Sequence, residues 1–189
     1  MDRSQASRRR LLDAGAVEFA AYGVAGARVD RISVDAKVSK AQIYSYYAGK
    51  EKLFDAVLAD QVNDILDKAP LTADLPDYAV RLYDAYLEHP QLVRLATWAR
   101  LERLPAGPLF PQTDETPKIE VIAAAQQAGR IRADIPAADI HSMVIALAMT
   151  WSPSSLTYTA TPADPAGDHR RRRAGLAAAV QDAFMRRES

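Results

Sequence analysis

The chain contains no cysteine and only three histidines among its 189 residues. The lack of cysteine excludes disulfide bonds, thiolate metal sites and a cysteine nucleophile. The histidines, His89, His141 and His169, have neither His-x-x-x-His nor Glu-x-x-His spacing, so no metal site is predicted. Neither a glycine-rich phosphate loop nor a Gly-x-Ser-x-Gly element occurs. We therefore expect no catalytic residues, no metal, no cofactor and no enzymatic activity.

Long apolar runs are also missing. No stretch approaches the roughly 18 residues that a membrane helix needs, and the start, MDRSQASRRR, lacks the apolar centre of a signal peptide. Hydrophobic residues still make up 49% of the chain, enough to bury a core. We expect a cytoplasmic protein without a membrane segment, in which a small domain is joined to a larger one.

The chain carries no net charge either, with 24 basic and 24 acidic residues. The charges are unevenly placed, because residues 1–52 contain ten Lys or Arg against six Asp or Glu. Arg8, Arg9 and Arg10 lie together at the start, either as a solvated basic turn or as phosphate contacts. Affinity for DNA depends on neutralising phosphates, so this local excess favours nucleic-acid binding at the amino-terminal end.

Residues 23–54 have the pattern of two short helices joined by a tight turn and followed by a third helix. Ser39 is placed to cap the second short helix. Apolar residues at helical spacing supply one side of the pair: Ile32, Ala36, Val38, Ile43 and Tyr47. The outward side of the second helix is polar or small: Lys40, Ala41, Gln42, Tyr44, Ser45 and Tyr46. A helix with this outward side fits a DNA major groove, as in a helix-turn-helix.

This segment resembles the DNA-binding domain of the TetR family of bacterial transcriptional regulators. The family's landmarks are Tyr-Gly, an Ile-centred helix, Val-Ser-Lys, Tyr-x-Tyr-Phe and Lys-x-x-Leu. Their counterparts here are Tyr22, Gly23, Ile32, Val38, Ser39, Lys40, Tyr44, Tyr46, Tyr47, Lys50 and Leu53. So many landmarks in order make the signal specific, although it covers only about the first third of the chain.

Two positions depart from the family's pattern. Lys37 stands where Gly usually takes a left-handed conformation, at a cost of about 1 kcal/mol. Arg28 stands where Ser or Thr usually caps the preceding helix, and a lost cap costs about 0.5–2 kcal/mol. We hypothesise that Arg28 adds a phosphate contact. The same departures leave a second interpretation open, a small-molecule binding or sequestering protein with a degenerate DNA-binding head.

The rest of the chain predicts further helices, so the fold class is all-α. The first helix is expected from about residue 4 or 5 to 22, ended by Gly23, and a connecting helix from 50 to 68. Pro70 and Pro76 mark a linker. Later helices are expected at about 76–88, 90–104, 117–128, 137–152 and 170–187. The predicted domains are 1–50 for the helix-turn-helix, with the connecting helix 50–68, and 70–189 for ligand binding and dimerisation.

The resemblance implies a homodimer formed by the last two helices, which would place two recognition helices on a near-palindromic double-stranded operator, about 34–36 Å apart or somewhat more. The expected faces carry small and medium residues: Ala138, His141, Ser142, Ile145, Ala146, Met149, Leu176, Ala177, Val180 and Phe184. The alternative is that these residues form only the core of the chain itself. His169 and the four arginines after it are expected to form a solvated turn.

The resemblance also implies a small-molecule effector site in the larger domain. Its candidate residues are Tyr83, Tyr86, Trp98, Glu102, Phe110, Met143 and Trp151. Aromatic and Met residues at such spacing more often belong to a core, and the pattern does not identify the effector.

The function that follows is a TetR-like repressor released from its operator by a ligand, with activation or constitutive repression left open. Gln42 is expected to read adenine through its amide, and Tyr44 and Lys50 to hold phosphates. The full predicted DNA-binding set is Arg28, Ser39, Lys40, Ala41, Gln42, Tyr44, Ser45, Tyr46 and Lys50.

Overall fold

The computed structural model describes residues 3–110 and 114–186, without the side chain of Arg3. The all-α prediction is confirmed, because the described ranges contain nine α-helices and no strand longer than a single bridge. The helices are α1 (Arg3–Gly26), α2 (Val29–Ala36), α3 (Lys40–Tyr47), α4 (Lys50–Lys68), α5 (Leu75–Glu88), α6 (Pro90–Glu102), α7 (Thr116–Gln127), α8 (Ala137–Ala148) and α9 (Ala166–Phe184).

Local sequence signals explain several helix boundaries. Asp74 caps α5 by accepting from the backbone N–H of Asp77 at 3.1 Å, and Pro76 lies in the first turn.

Two helix boundaries in the carboxy-terminal half were predicted wrongly. Helix α8 ends at Ala148, earlier than expected, and α9 begins at Ala166 directly after Pro165. The predicted end of α9, Arg187, lies outside the described residues.

The described chain forms two compact units. The amino-terminal unit comprises Met1–Asp64 and Gln91–Leu109, and the carboxy-terminal unit comprises Ile65–Pro90 and Phe110–Ser189. Helix α6 therefore belongs with the first four helices, although the sequence analysis assigned it to the larger domain. Helix α4 begins in the amino-terminal unit, and its residues from 65 onward belong to the carboxy-terminal unit.

The core of the amino-terminal unit is built from apolar residues of α1 to α4. Phe19 and Phe54 meet edge to face with ring centroids 5.2 Å apart, and neither ring is more than 1% exposed. Leu11, Ile32, Ile43 and Leu53 are completely buried around them. This core fixes α2 and α3 on α1, so the polar side of α3 remains outside.

In the carboxy-terminal unit, α5 packs against α8 and α9, and α8 also packs against α7. Its completely buried side chains include Leu75, Ile122, Ile140, Val144 and Val180. The segment after α7 pairs with the end of α9, where the N–H of Arg132 donates to the carbonyl of Phe184 at 2.9 Å. This backbone pairing holds the carboxyl end of α9 against the segment after α7.

Among the described helices, none combines the length and the apolar composition that crossing a bilayer requires. Across the same residues, no three His, Asp or Glu side chains are grouped so as to bind a metal ion.

Candidate functional site

Helix α3 begins with a reciprocal cap between Ser39 and Gln42. The Ser39 hydroxyl accepts from the backbone N–H of Gln42 at 3.2 Å, and Gln42 Oε1 accepts from the backbone N–H of Ser39 at 2.9 Å. Two helix-terminal N–H groups are satisfied in this way. The predicted cap by Ser39 is confirmed. The part played by Gln42 was missed, although the Ser-x-x-Gln spacing signals it.

The turn before α3 has the strained conformation that the family resemblance implies. Lys37 takes φ 55° and ψ 47°, in the left-handed region, and its N–H donates to the carbonyl of Val34 at 3.1 Å. Ala48, after α3, also has φ 55°. Both helices thus end through residues that are not glycine, where each left-handed residue costs about 1 kcal/mol.

Arg28 is the residue before α2, as predicted, and its side chain forms no cap there. Its backbone N–H instead donates to Glu18 Oε1 at 2.8 Å, and the same carboxylate binds the Arg31 guanidinium at 2.5 Å. Burial raises the pKa of Glu18, but the hydrogen bonds from Arg31 and Arg28 outweigh it, and the pKa lies below its usual value. A charged Glu18 therefore fixes the start of α2.

The outward side of α3 matches most of the prediction. Ala41, Gln42 and Ser45 are exposed, and Tyr44 retains 55% of its surface. Tyr46 differs, because it is half-buried and lies beneath the Arg8 guanidinium, 4.9 Å from the ring centroid. The four exposed residues together form one accessible polar surface. We call this surface the α3 face, and it consists of Ala41, Gln42, Tyr44 and Ser45.

Several cations expected at DNA are held by protein groups. Lys40 forms an ion pair with Asp30, and this hydrogen bond lowers the pKa of the Asp30 carboxyl. Arg9 bridges Asp13 and Asp60 at 2.6 and 2.7 Å, and Arg10 donates to the Ala36 carbonyl at 2.9 Å.

Lys50 points toward the end of α1, where its ammonium donates to the carbonyl oxygens of Ala25 and Ala27, each at 3.2 Å. Arg28 and Lys37 are exposed and form no ion pair with any residue that the structure describes. These two departures from the family's pattern are thus, like Arg8 over the Tyr46 ring, exposed cations of the amino-terminal unit that are not held in an ion pair with a described residue.

Three side chains of α6 contact the end of α1, and the sequence analysis missed this arrangement. Arg94 Nε donates to the carbonyl of Ala20 at 2.8 Å, and the Trp98 indole N–H lies 3.4 Å from the same oxygen. Glu102 Oε2 accepts from the backbone N–H groups of Val24 and Ala25 at 2.7 and 3.1 Å. We call Arg94, Trp98 and Glu102 the α6 clamp.

The clamp surrounds a sharp interruption of α1 at Gly23, which has φ 69° and ψ −176°. Trp98 and Glu102, both predicted to bind a ligand, hold this interruption in the amino-terminal unit. Arg103 adds ion pairs to Glu51 and Asp55 near the start of α4. The long sequence separation of these partners leaves no local pattern, so only the structure reveals them.

Three other ligand candidates, Tyr83, Tyr86 and Trp151, come together in the carboxy-terminal unit. They line a small cavity of about 10 Å³ with Leu87, Ala148, Ser152, Pro153 and Ala160. Trp151 also borders an open groove of about 500 Å³, with Tyr158, Asp168, Arg171, Arg172 and Gly175. Phe110 is half-buried and Met143 is 44% exposed, and neither lines these two spaces.

The basic run at the start of α9 is helical, and the prediction of a solvated turn is wrong for His169 and Arg172, whereas Arg170 and Arg171 are exposed. His169 and Arg172 are each 7% exposed. The Nδ1 atom of His169 shares a 2.7 Å hydrogen bond with the Tyr83 hydroxyl, and Arg172 binds Asp164 at 2.7 Å. That bond from Arg172 contributes most to a pKa of about 2 for Asp164. Tyr83 thus joins the cavity to a buried polar cluster.

Four members of the predicted dimer faces lie inside the carboxy-terminal unit instead. His141, Leu176, Val180 and Phe184 are all buried there, and desolvation lowers the pKa of His141. The exposed sides of α8 and α9 carry mainly small residues: Ala138, Ser142, Ala146, Ala174, Gly175, Ala178 and Ala179. We call this set the small-residue face.

Comparison with known proteins agrees with this arrangement. A family model described as bacterial regulatory proteins, tetR family, matches residues 11–57, and one described as a tetracyclin repressor-like C-terminal domain matches residues 74–181. The HTH-type transcriptional repressor SCO4008 of Streptomyces coelicolor is 34% identical over 154 residues, which cover 78% of this chain and 79% of that protein. The HTH-type transcriptional repressor NicS of Pseudomonas putida is 33% identical over 109 residues, which cover 52% and 51%.

A solved structure of the regulator SCO4942 from Streptomyces coelicolor superposes with a TM-score of 0.78 at 34% identity, covering 94% of this chain and 98% of that one. The two family models account for the helix-turn-helix and for most of the carboxy-terminal unit. The capped α3 helix, its polar outer side and these matches lead to one conclusion: the chain belongs to the TetR family of bacterial transcriptional regulators.

Proposed function

We propose that this protein is a repressor that binds a near-palindromic operator as a homodimer and is released by a small molecule in its carboxy-terminal unit. The observation that carries the proposal is the α3 face, a polar surface on a helix whose opposite side is anchored by the fully buried Ile43. A recognition helix needs this division, because its outer side chains must reach base edges without loosening the core. SCO4008 and NicS, both named as repressors, support the direction of regulation.

We assign the roles of individual residues from how exposed each side chain is and from which protein groups already bind it. Gln42 and Ser45 reach base edges, Ala41 allows close approach, and Tyr44 binds a phosphate through its hydroxyl. Arg28 and Lys37 supply phosphate contacts. Four further residues of the predicted set act mainly by support: Ser39 through its cap, Lys40 through Asp30, Tyr46 beneath Arg8, and Lys50 through carbonyl oxygens.

The small-residue face supports the homodimer. Alanine, serine and glycine side chains on two adjacent helices allow a second helix pair to approach closely, and the exposed Met143 of α8 would pack in such an interface. A two-fold dimer would present two α3 helices to half-sites about 34–36 Å apart, or somewhat more. The operator is therefore expected to be near-palindromic.

The groove bordered by Trp151 and Tyr158, beside the cavity around Tyr83, Tyr86 and Trp151, is the proposed effector site. The cavity itself, of about 10 Å³, is too small for an effector, but the groove, of about 500 Å³, lies within the range of about 300–1,000 Å³ for typical ligand sites. Release from DNA requires that the effector bind more tightly to the conformation that does not fit the operator.

Operator binding is tested by gel shift with duplexes from the region upstream of the gene. The control is a duplex of the same composition in shuffled order. A specific regulator should prefer one duplex by at least about a thousandfold at physiological salt, and lower salt should strengthen binding to both. Equal affinity for the two duplexes would rule out sequence-specific regulation.

The effector is sought by thermal-shift screening of a small-molecule library with the full chain. A ligand at this site should raise the unfolding temperature of the wild type and have no effect on a Trp151→Ala variant. It should also weaken operator binding, and operator should weaken ligand binding by the same factor. A ligand that stabilises both variants equally binds elsewhere.

A further inference from the structure

The amide of Gln42 has only one end free, and this determines which base it can recognise. Its oxygen accepts from the Ser39 backbone N–H at 2.9 Å and from the Ser39 hydroxyl at 3.2 Å. A carbonyl oxygen has two lone pairs, so both are in use. The assignment of oxygen and nitrogen follows from chemistry, because a backbone N–H can only donate and must face the oxygen.

The other end of the amide carries two N–H donors, and its nitrogen forms no hydrogen bond with any residue that the structure describes. Gln42 is exposed at the third position of α3, in the turn from which a recognition helix contacts base edges. The structure thus presents a donor to the groove and retains the acceptor for the cap.

We infer that Gln42 reads guanine, through donation from its amide nitrogen alone; this rests on the proposed function of α3 as a recognition helix. Guanine offers two acceptors in the major groove, N7 and O6, and no donor. Adenine offers one acceptor, N7, and one donor, N6, so its bidentate recognition requires both ends of the amide. For two hydrogen bonds to adenine, Gln42 would have to withdraw its oxygen from Ser39 and leave the N–H of that residue without an acceptor; with the cap kept, it can form one bond to adenine and two to guanine.

This inference replaces the expectation of adenine readout drawn from the sequence alone. Cytosine is the least suitable base, since it presents only a donor in the major groove. Thymine presents a single acceptor, O4, and can satisfy only one of the two amide N–H groups. The order of preference at the contacted base therefore begins with guanine and ends with cytosine.

The test compares wild type, Gln42→Glu and Gln42→Met. Glutamate retains an acceptor for the Ser39 N–H, so the cap persists, but it presents an acceptor to the groove in place of a donor. Methionine has a similar length and removes the donor and the acceptor. Each full-length protein is used to select duplexes from a library with a randomised central region, and single-base variants of the selected duplex are then titrated.

The expected result is one base pair in each half-site at which wild type prefers guanine over adenine by about tenfold. Gln42→Glu should lose that preference at the same pair and leave the other pairs unchanged. The added negative charge weakens the affinity of Gln42→Glu for every duplex. This weakening does not affect the result, because the affinities for different bases are compared within each protein. If Gln42→Met fails to fold, Gln42→Glu still decides the question.

Two results would overturn the inference and leave the proposed function intact. One is a preference for adenine at the pair that depends on Gln42, and the other is an unchanged preference at every pair in both variants. If wild type selects no sequence from the library, specific operator binding itself fails, and the inference fails with it.

Discussion

Glu18 is the residue whose charge matters most for the geometry of the DNA-binding head. It is only 5% exposed, yet it accepts from the Arg31 guanidinium and from the Arg28 backbone N–H. Ionisation of the carboxylate strengthens both bonds, which is consistent with a pKa below the usual value. Protonation would weaken both contacts at the first residues of α2.

We predict that Glu18→Gln destabilises the protein by about 2 kcal/mol at neutral pH, since a charge-assisted bond is lost. The folded pKa is lowered, so the carboxylate stabilises the fold fully above its ordinary pKa of 4.5. This contribution is lost as pH falls through the lowered value. Urea unfolding between neutral and acidic pH should show the two proteins converging.

The matched control is Glu120→Gln, because Glu120 is exposed on α7. A surface change of this kind should alter stability by less than about 0.5 kcal/mol. A difference between wild type and Glu18→Gln that stays constant down to acidic pH would contradict the assigned role of the carboxylate.

Lys37 combines a backbone cost with an exposed positive charge. Its left-handed conformation favours glycine, so we predict that Lys37→Gly raises the free energy of unfolding by about 1 kcal/mol. The control is Ala59→Gly at an exposed helical position of α4, which should lower it by about 1 kcal/mol. Chemical denaturation measures both, and a loss of stability in Lys37→Gly would show that its side chain stabilises the turn.

At the scale of elements, the interruption of α1 depends on one glycine beneath the α6 clamp. A Cβ atom on Gly23 would lie 2.6 Å from Glu102 Oε1 and 2.9 Å from Trp98 Cε3. The backbone conformation, φ 69° and ψ −176°, is also one that essentially only glycine adopts. The position therefore combines steric and conformational restrictions.

We predict that Gly23→Ala destabilises the protein by about 2 kcal/mol or more, from backbone strain and overpacking together. Gly129→Ala is the control, since Gly129 has a similar φ of 72° but open space where the Cβ would lie. Comparing the thermal unfolding of the two variants separates the cost of overpacking from the cost of backbone strain. Equal effects would mean that the clamp yields to the added methyl group at no measurable cost.

The sequence predicted those elements whose signals are local. The Ser39 cap and the long helix from Lys50 to Lys68 follow from residue type and spacing, the left-handed Lys37 is implied by the family resemblance, and the structure confirms all three. The boundaries of α8 and α9 were less accurate. Residues 149–155 form turns after α8, and Pro165 precedes the first turn of α9.

Contacts between distant segments could not be predicted from the sequence. Glu102 lies 78 residues from Val24, and no pattern in either segment indicates that the carboxylate caps that backbone. The same applies to Arg173, whose partner Asp84 lies 89 residues away on α5. Arg172 binds Asp164, 8 residues earlier, in a loop whose course the sequence does not indicate. The prediction of a solvated turn therefore failed at Arg172, although Arg170 and Arg171 are exposed, and aromatic residues alone did not distinguish cavity from core.

For the whole molecule, the proposed homodimer depends on the small-residue face. We predict that Ala178→Arg produces a monomer and reduces operator affinity at least tenfold, because a long charged side chain blocks close packing of paired helices. Analytical ultracentrifugation and gel shift measure the two effects. Gln127→Arg, an exposed change at the end of α7, should leave both unchanged.

A dimer that persists in Ala178→Arg would place the interface on another surface. Loss of operator affinity in a protein that remains dimeric would indicate that the substitution acts on the fold, which thermal unfolding of the same sample would reveal.

The α6 clamp has a consequence for how this head can diverge. Its three side chains bond to main-chain atoms of Ala20, Val24 and Ala25, which every residue type except proline offers in full. The side chains of α1 at these positions can therefore change during evolution without loss of the hydrogen bonds from α6. Selection would then fall on one backbone shape and on the α6 residues, so related chains should vary more at Ala25 than at Gly23 or Glu102.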